Sequence, residues 1–327
     1  MKMPKKIKCI NMQTPIMKLE NLSKELGSEI YIKRDDFTGI EFSGNKVRKL
    51  EYVLKDALDQ GADTLITCGG IQSNHARATA ALAAKLGMKC YLVLRGDENE
   101  RIEGNRFLSL LLGAQIKFIS KEDYGENRDE IMNKLAKNLE TEGLKPYIIP
   151  EGASNGLGNF GYLNAGFEIM EQEKEMGVEF DLIVTAVGSG STYGGLFLAD
   201  KIKKGVSRAV GFNVCNDAPT FVKRIDGYLK DTFKILEEQI DYSTDEIKII
   251  DGYVGNGYGL SRNEEIEFIK KFAKMEGIIL DPVYTGKSMY GFYNEFKKGT
   301  FKGKKKILFI HTGGLYGIFS KSDLFKF

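Results

Sequence analysis

The sequence predicts an α/β protein built on parallel sheet, and three features predict it. Short apolar runs rich in Ile, Val, Leu and Tyr recur at 29–33, 64–68, 89–94, 115–119, 147–149, 182–187, 209–214 and 306–310. Several are almost continuously apolar rather than alternating, as strands covered on both faces are. Between them lie stretches of helical period, and Gly87, Gly113, Gly143 and Gly277 stand where helix C-caps belong.

In chain order, the strand at 29–33 leads into a polar turn and a helix from Lys46 to about residue 58. The strand at 64–68 feeds an alanine-rich helix at 74–86, and 89–94 feeds 105–112. Further helical stretches follow at 128–139, 162–175, 192–203, 262–275 and 287–296. This alternation implies parallel strands joined by right-handed crossovers. The 327 residues suit about two domains at roughly 100–200 residues each. No linker or repeat separates them, so two domains would share the chain more than once. Ligands of such sheets sit beyond the carboxyl ends of the strands.

Composition excludes several functions. The chain is 42% hydrophobic and 28% charged, with a formal net charge of +2. Acids and bases are mixed throughout, which argues against nucleic acid or an anionic membrane as partner. The lysine-rich stretches 2–8 and 302–306 read as solvated faces or tails. Cys9, Cys68, Cys90 and Cys215 show no CxxC spacing, and only two histidines are present, so neither zinc nor a disulfide framework is expected. No apolar run reaches membrane-spanning length, and the lysines at the start precede no signal-peptide core. The expectation is a cytoplasmic protein with free thiols.

Four loops could carry chemistry. In Ser43-Gly44-Asn45-Lys46-Val47-Arg48-Lys49, Lys46 opens a helix, where the positive end of the dipole disfavours an ammonium. That suits a nucleophilic Schiff-base lysine, although a surface lysine is the plain alternative. The loop Cys68-Gly69-Gly70-Ile71-Gln72-Ser73-Asn74-His75 follows a strand and opens a helix; Ser73 or Asn74 could simply cap it, yet the loop holds more polar groups than a cap requires. The loop Gly188-Ser189-Gly190-Ser191-Thr192-Tyr193-Gly194-Gly195 reads as a phosphate cradle or a tight strand-to-helix turn. A dinucleotide fingerprint fails there because its third glycine position is Tyr193, and the Walker lysine is missing. The fourth feature is Asp281-Pro282-Val283-Tyr284-Thr285-Gly286-Lys287 together with His311-Thr312-Gly313-Gly314. His75 and His311 lie in glycine-bearing loops, where a structural hydrogen bond is the commoner role.

Together these loops, with Ile32-Lys33-Arg34-Asp35-Asp36, resemble the fold-type II pyridoxal-phosphate enzymes, in the branch of D-cysteine desulfhydrase and 1-aminocyclopropane-1-carboxylate deaminase. The motifs run in the family's order from about residue 14 to about residue 317. The resemblance implies two open, twisted, mainly parallel α/β domains (tryptophan synthase β-like) with pyridoxal 5'-phosphate in the cleft between them. The large domain would combine 1–46 with 160–327 and the small one would span 47–159, and a homodimer is implied. Lys46 would hold the cofactor, Asn74 its ring hydroxyl, and Gly188, Ser189, Gly190, Ser191 and Thr192 its phosphate. Thr312 would lie near the pyridine nitrogen; Ser73 and His75 would meet the substrate carboxylate, beside Asn74; Tyr258 and Tyr284 would be the active-site tyrosines.

Thr285 separates the two activities, because the deaminase resembles Asp-Pro-Val-Tyr followed by Glu. A hydroxyl by the ring nitrogen makes a weaker electron sink than a carboxylate, which suffices for a good leaving group such as thiolate. The resemblance thus implies α,β-elimination from a small amino acid, foremost D-cysteine to pyruvate, sulfide and ammonia. Lys46 or Tyr284 would take the Cα proton, and Tyr258 would assist the leaving group. The rivals are the cyclopropane deaminase, a lyase for another β-substituted amino acid such as L-cysteate, a nicotinamide dehydrogenase with Asp217 as ribose acid, and a non-catalytic binder of the cofactor.

Overall fold

The computed structural model describes residues 2–10 and 13–327. Its strands are β1 (Ile16–Lys18), β2 (Glu29–Lys33), β3 (Thr64–Gly70), β4 (Lys89–Arg95), β5 (Gln115–Ile119), β6 (Pro146–Ile148), β7 (Leu182–Val187), β8 (Ala209–Asn213), β9 (Ile249–Ile250) and β10 (Lys306–Ile310). Its helices are α1 (Glu20–Leu26), α2 (Lys46–Asp59), α3 (Asn74–Lys85), α4 (Gly104–Leu111), α5 (Lys121–Glu126), α6 (Arg128–Thr141), α7 (Gly156–Met176), α8 (Ser191–Lys204), α9 (Ala218–Leu236), α10 (Asn263–Glu276), α11 (Thr285–Lys298) and α12 (Leu315–Phe319).

A six-stranded sheet has the order β1-β2-β10-β7-β8-β9 and a four-stranded sheet the order β5-β4-β3-β6. Every pairing is parallel except that of β1 with β2. The chain leaves the larger sheet after β2, builds the smaller one and returns at β7. Both faces of each sheet are covered, which explains the continuous apolar runs. Leu308 and Ile310 pack under α7, α8 and α9 with Phe160, Phe197 and Phe221, while Ile307 and Phe309 pack with Phe268, Phe272 and Phe292 of α10 and α11. In the smaller sheet Leu65 and Leu92 face α2 and α3, and Ile66 and Val93 face α6.

The structure adds elements that periodicity misses. Helix α9 runs for 19 residues with Pro219 in its first turn, and its N-cap is Asp217, whose carboxylate accepts from Thr220 N. The carboxylate weighed as a ribose acid is therefore a helix cap. Helix α7 begins at Gly156 rather than 162, because Asn155 caps it through Gly158 N while glycines at 156, 158 and 161 hide the apolar stripe. No helix among the described residues is long and apolar enough to cross a membrane. No group of three His, Cys, Asp or Glu that could hold a metal occurs among them either.

Candidate active site

The carboxyl ends of β3, β4, β7 and β8 open on one cavity of about 360 Å³, whose walls include Lys46, Ser73, His75, Arg95, Gly188, Ser189, Cys215, Tyr258 and Tyr284. An adjoining hollow shares Lys46 and Tyr284 and adds Asn45, Asn74, Gly190, Thr192, Thr312 and Gly313. Loops distant in sequence thus converge where parallel sheets place ligands.

The start of α2 is built by close backbone contact. Gly44 (φ +110°) and Gly313 (φ +89°) pack against each other so tightly that a Cβ on Gly313 would lie 2.7 Å from Gly44 Cα. Asn45 N then donates to Thr312 O at 3.1 Å, and Asn45 Nδ2 donates to Thr192 Oγ1 at 2.9 Å. Three of the four sequence motifs are joined at this point. Lys46 is partly buried, and its amine has no hydrogen-bond partner among the described residues. Burial pushes its pKa down to about 8 against the opposing pull of Glu151. Desolvation, rather than the helix start, is the principal cause.

Beneath it, Arg48 anchors α2 through Asp35 Oδ1 (2.8 Å) and Glu168 Oε2 (2.9 Å). Lys33 reaches Glu168 at 2.7 Å, and Tyr162 donates its hydroxyl to Asp35. Burial alone would raise the Asp35 pKa, but Arg48 and Lys33 hold it at about 2. The motif 32–36 thus serves as a foundation for the lysine helix.

Two helix N-termini face the cleft. Ser73 is the N-cap of α3, its Oγ accepting from Ala76 N at 3.1 Å, which leaves the Asn74 and His75 N–H groups without intrahelical acceptors. Asn74 Oδ1 accepts from Asn105 Nδ2 at 2.9 Å. The His75 ring faces Thr67: Thr67 Oγ1 donates to Ile149 O at 2.8 Å, so His75 Nε2 must be the donor in its 2.8 Å contact with that hydroxyl. Burial, then the nearby lysines 46 and 49, push the His75 pKa well down, so the ring is neutral. Helix α8 starts at Gly190 (φ +111°) with no side-chain cap. The loop before it leaves a hollow lined by Gly188, Ser189, Gly190 and Thr192. Ser191 is fully buried behind that hollow, 2.9 Å from Ser154 Oγ, which donates to Ser189 Oγ at 2.8 Å.

Tyr258 and Tyr284 share a hydrogen bond between their hydroxyls across the cleft, with rings edge-on at 5.9 Å. Burial raises both pKa values, that of Tyr258 to about 12. Thr312 lines the hollow, and its hydroxyl has no protein partner among the described residues. Thr285 is not brought to either wall. Its hydroxyl donates to Asp281 Oδ1 at 2.7 Å and accepts from Asp281 N at 2.8 Å, completing the turn that begins α11. His311 is structural: Nε2 donates to Ile279 O at 2.9 Å, and Nδ1 accepts from Gly313 N at 3.2 Å.

Sequence analysis alone misses three participants. Lys49 is fully buried, and its amine has only Gly152 O and Ser154 Oγ, each at 3.5 Å. Burial, then Lys46, push its pKa well down. Its spacing of three from Lys46, one helical turn, is the signal that could have found it. Arg95 closes β4 and lies between the rings of Tyr124 and Tyr258, 5.4 and 5.3 Å from their centroids. Glu151 receives Tyr124 Oη at 2.6 Å and Arg128 Nη1 at 3.0 Å at the rim. No periodicity announces such a cluster.

An amine free to attack a carbonyl, beside an uncapped helix start and a second buried lysine with no carboxylate in contact among the described residues, defines a class: enzymes that hold an aldehyde cofactor through a lysine and its phosphate through a glycine loop. The residues fit such a group, because a phosphate at the start of α8 would give that uncapped helix end an acceptor, and Lys49, whose amine has only two contacts of 3.5 Å, stands one turn beyond Lys46. The comparisons agree. The sequence model described as "Pyridoxal-phosphate dependent enzyme" matches residues 10–313, and the chain belongs to that family. It is 43% identical over 323 residues to the mitochondrial bifunctional D-cysteine desulfhydrase/1-aminocyclopropane-1-carboxylate deaminase of Arabidopsis thaliana, covering 96% of this chain and 79% of that protein. It is 40% identical over 320 residues to the D-cysteine desulfhydrase of Klebsiella pneumoniae, covering 96% and 95%. The solved structure of an ACC deaminase homologue superposes with a TM-score of 0.90 at 40% identity, covering 98% of this chain and 95% of that one. The fold is thus fold-type II, and the chain is a pyridoxal-phosphate-dependent enzyme of the lyase and deaminase branch.

Proposed function

We propose that the chain carries out α,β-elimination on D-cysteine, releasing pyruvate, sulfide and ammonia. One observation carries the reading: an unpartnered amine, Lys46, shares a cavity with the hydrogen-bonded phenols of Tyr258 and Tyr284. When bound, pyridoxal phosphate supplies the electron sink that acidifies the substrate's Cα hydrogen. Asn74 and Thr312 would flank its ring, and Gly188, Ser189, Gly190 and Thr192 would hold its phosphate, with Ser191 and Lys49 behind them, both in contact with Ser154. The Ser73 hydroxyl and the free N–H groups of Asn74 and His75 bind the α-carboxylate.

Lys46 takes the Cα proton, because its pKa of about 8 lies nearer neutrality than that of Tyr284, which burial holds far above. Tyr258 stays protonated at neutral pH and donates to the departing sulfur as the Cβ–S bond breaks with its electron pair on sulfur. The released enamine takes up water to give pyruvate and ammonia. No carboxylate lines the hollow with Thr312 among the described residues, which keeps the sink weak and suits a thiolate leaving group. Since Thr285 points elsewhere, that argument rests on Thr312.

The test is sulfide and pyruvate release from cofactor-loaded protein given D-cysteine, with L-cysteine, L-cysteate and 1-aminocyclopropane-1-carboxylate alongside. Sulfide from D-cysteine supports the assignment. Turnover of another member alone would remove D-cysteine and keep the cofactor assignment. Deamination of 1-aminocyclopropane-1-carboxylate is the second reading, favoured by the bifunctional name of the Arabidopsis relative.

We further infer a cytoplasmic homodimer whose protomer divides into 1–46 with 160–327 and 47–159. The dimer is supported by exposed apolar side chains on the adjoining α4 and α12, with Phe107 at 49%, Leu111 at 70% and Phe319 at 59% exposure.

A further inference from the structure

We infer that Lys287 is a positioning residue that sets the reach of Tyr258 by tethering the loop that carries it. Lys287 is fully buried, has no carboxylate within salt-bridge distance among the described residues, and is absent from the cavity walls. Its amine donates to three carbonyls of one loop: Val254 O, Gly257 O at 2.7 Å and Leu260 O at 2.9 Å. The three donors of an ammonium are thereby matched by three acceptors.

Within the loop itself, one further backbone bond adds to this among the described residues, Leu260 N donating to Gly257 O at 3.1 Å. Gly252, Gly255, Gly257 and Gly259 take φ values of +97°, +70°, +128° and +73°, where side-chain-bearing residues are strained. Asn256 and Leu260 are exposed. Such a segment loses much conformational entropy on ordering, with few apolar contacts to offset it. Lys287 stands three residues beyond Tyr284, the residue that precedes α11. One helical turn therefore presents one tyrosine to the cleft and holds the loop that presents the other. The hydroxyl–hydroxyl contact of Tyr258 and Tyr284 depends on that shared support.

This rests on the reading of Tyr258 as a substrate-facing residue, so the test has one arm that needs no turnover. In the Lys287→Met protein, hydrogen exchange over residues 254–260 should quicken at least tenfold while α2 and the strand cores stay protected. The cofactor absorbance should be retained. With D-cysteine, kcat should fall tenfold or more, and adding Lys287→Met to Tyr258→Phe should cost less than twofold beyond Tyr258→Phe alone. Unchanged exchange in the loop overturns the tether, and a full additive loss in the Tyr258→Phe background overturns its action through Tyr258. If the Met variant does not fold, Lys287→Gln, which keeps a neutral donor, takes its place; unfolding of both assigns Lys287 to the fold alone and overturns the proposal. Failure to turn over any amino acid, with the loop loosened as expected, would count against the substrate reading and leave the tether standing.

Discussion

Helices α2 and α11 both begin at the cleft, and each places a buried or partly buried lysine in its first turn without a carboxylate in contact among the described residues. There the likeness ends. Lys287 satisfies all three of its donors on backbone carbonyls, whereas Lys46 has no partner among the described residues. Burial lowers both pKa values, that of Lys46 to about 8. Carbonyl acceptors favour the charged form, so one lysine is a fixed cation that organises a loop. The other readily gives up its proton and is left reactive. Residue type and helix position are shared; the number of acceptors decides the role.

The largest test of that contrast is Lys46→Ala. Turnover of D-cysteine should fall by at least about 10⁴-fold, the scale of removing a group on which a concerted site depends. Borohydride should no longer fix the cofactor to the chain. Full activity in this variant would erase the distinction between the two lysines. Next in size is Arg48→Met, which leaves Asp35 buried without its main partner. Breaking one side of a buried pair costs about 3–5 kcal/mol, read as a lower urea midpoint, while Lys46 should still react with the cofactor in the folded protein. Because Asp35 is held near 2, below the usual carboxylate value of about 3.9, the stability it contributes is present above that value and lost as pH falls toward 2.

Lys49→Met probes the third lysine of the site. Loss of a charge-assisted hydrogen bond of about 1.5–3 kcal/mol should weaken pyridoxal-phosphate binding by roughly 10–100-fold in an absorbance titration. Binding of pyridoxal without its phosphate should change little. The smallest effect is one of pH. Only the neutral amine attacks, so cofactor capture by the apoprotein should rise about tenfold from pH 7 to 9 and level off, with a midpoint near 8. An ordinary lysine would go on rising beyond that with no plateau, and that outcome would show Lys46 to be no different from a surface amine.

The motifs show how much of this was legible. The alternation of strand and helix, the glycine loop before α8 and Lys46 at the start of α2 all follow from local rules of periodicity and capping. Ser73 as a cap was legible for the same reason. Thr285 stands beside Tyr284 in sequence, yet a helix start turns its hydroxyl inward to Asp281. Lys49 carries only the weak mark of standing one turn from Lys46, and Arg95 carries none, because lysine and arginine are common along the chain. Glu151 and Arg128 are 23 positions apart, a contact no local pattern encodes.

By itself the sequence determined the parallel α/β class, the boundaries of most strands and the identity of the loops that converge on the cleft. Those depend on side-chain period and on backbone freedom, which are properties of neighbours along the chain. Tertiary structure alone decided which lysine is left without a partner, which hydroxyl faces the hollow and which arginine lies between the two tyrosine rings. Those depend on desolvation and on groups brought together from distant segments, and both exist only once the two sheets have closed on a common cleft.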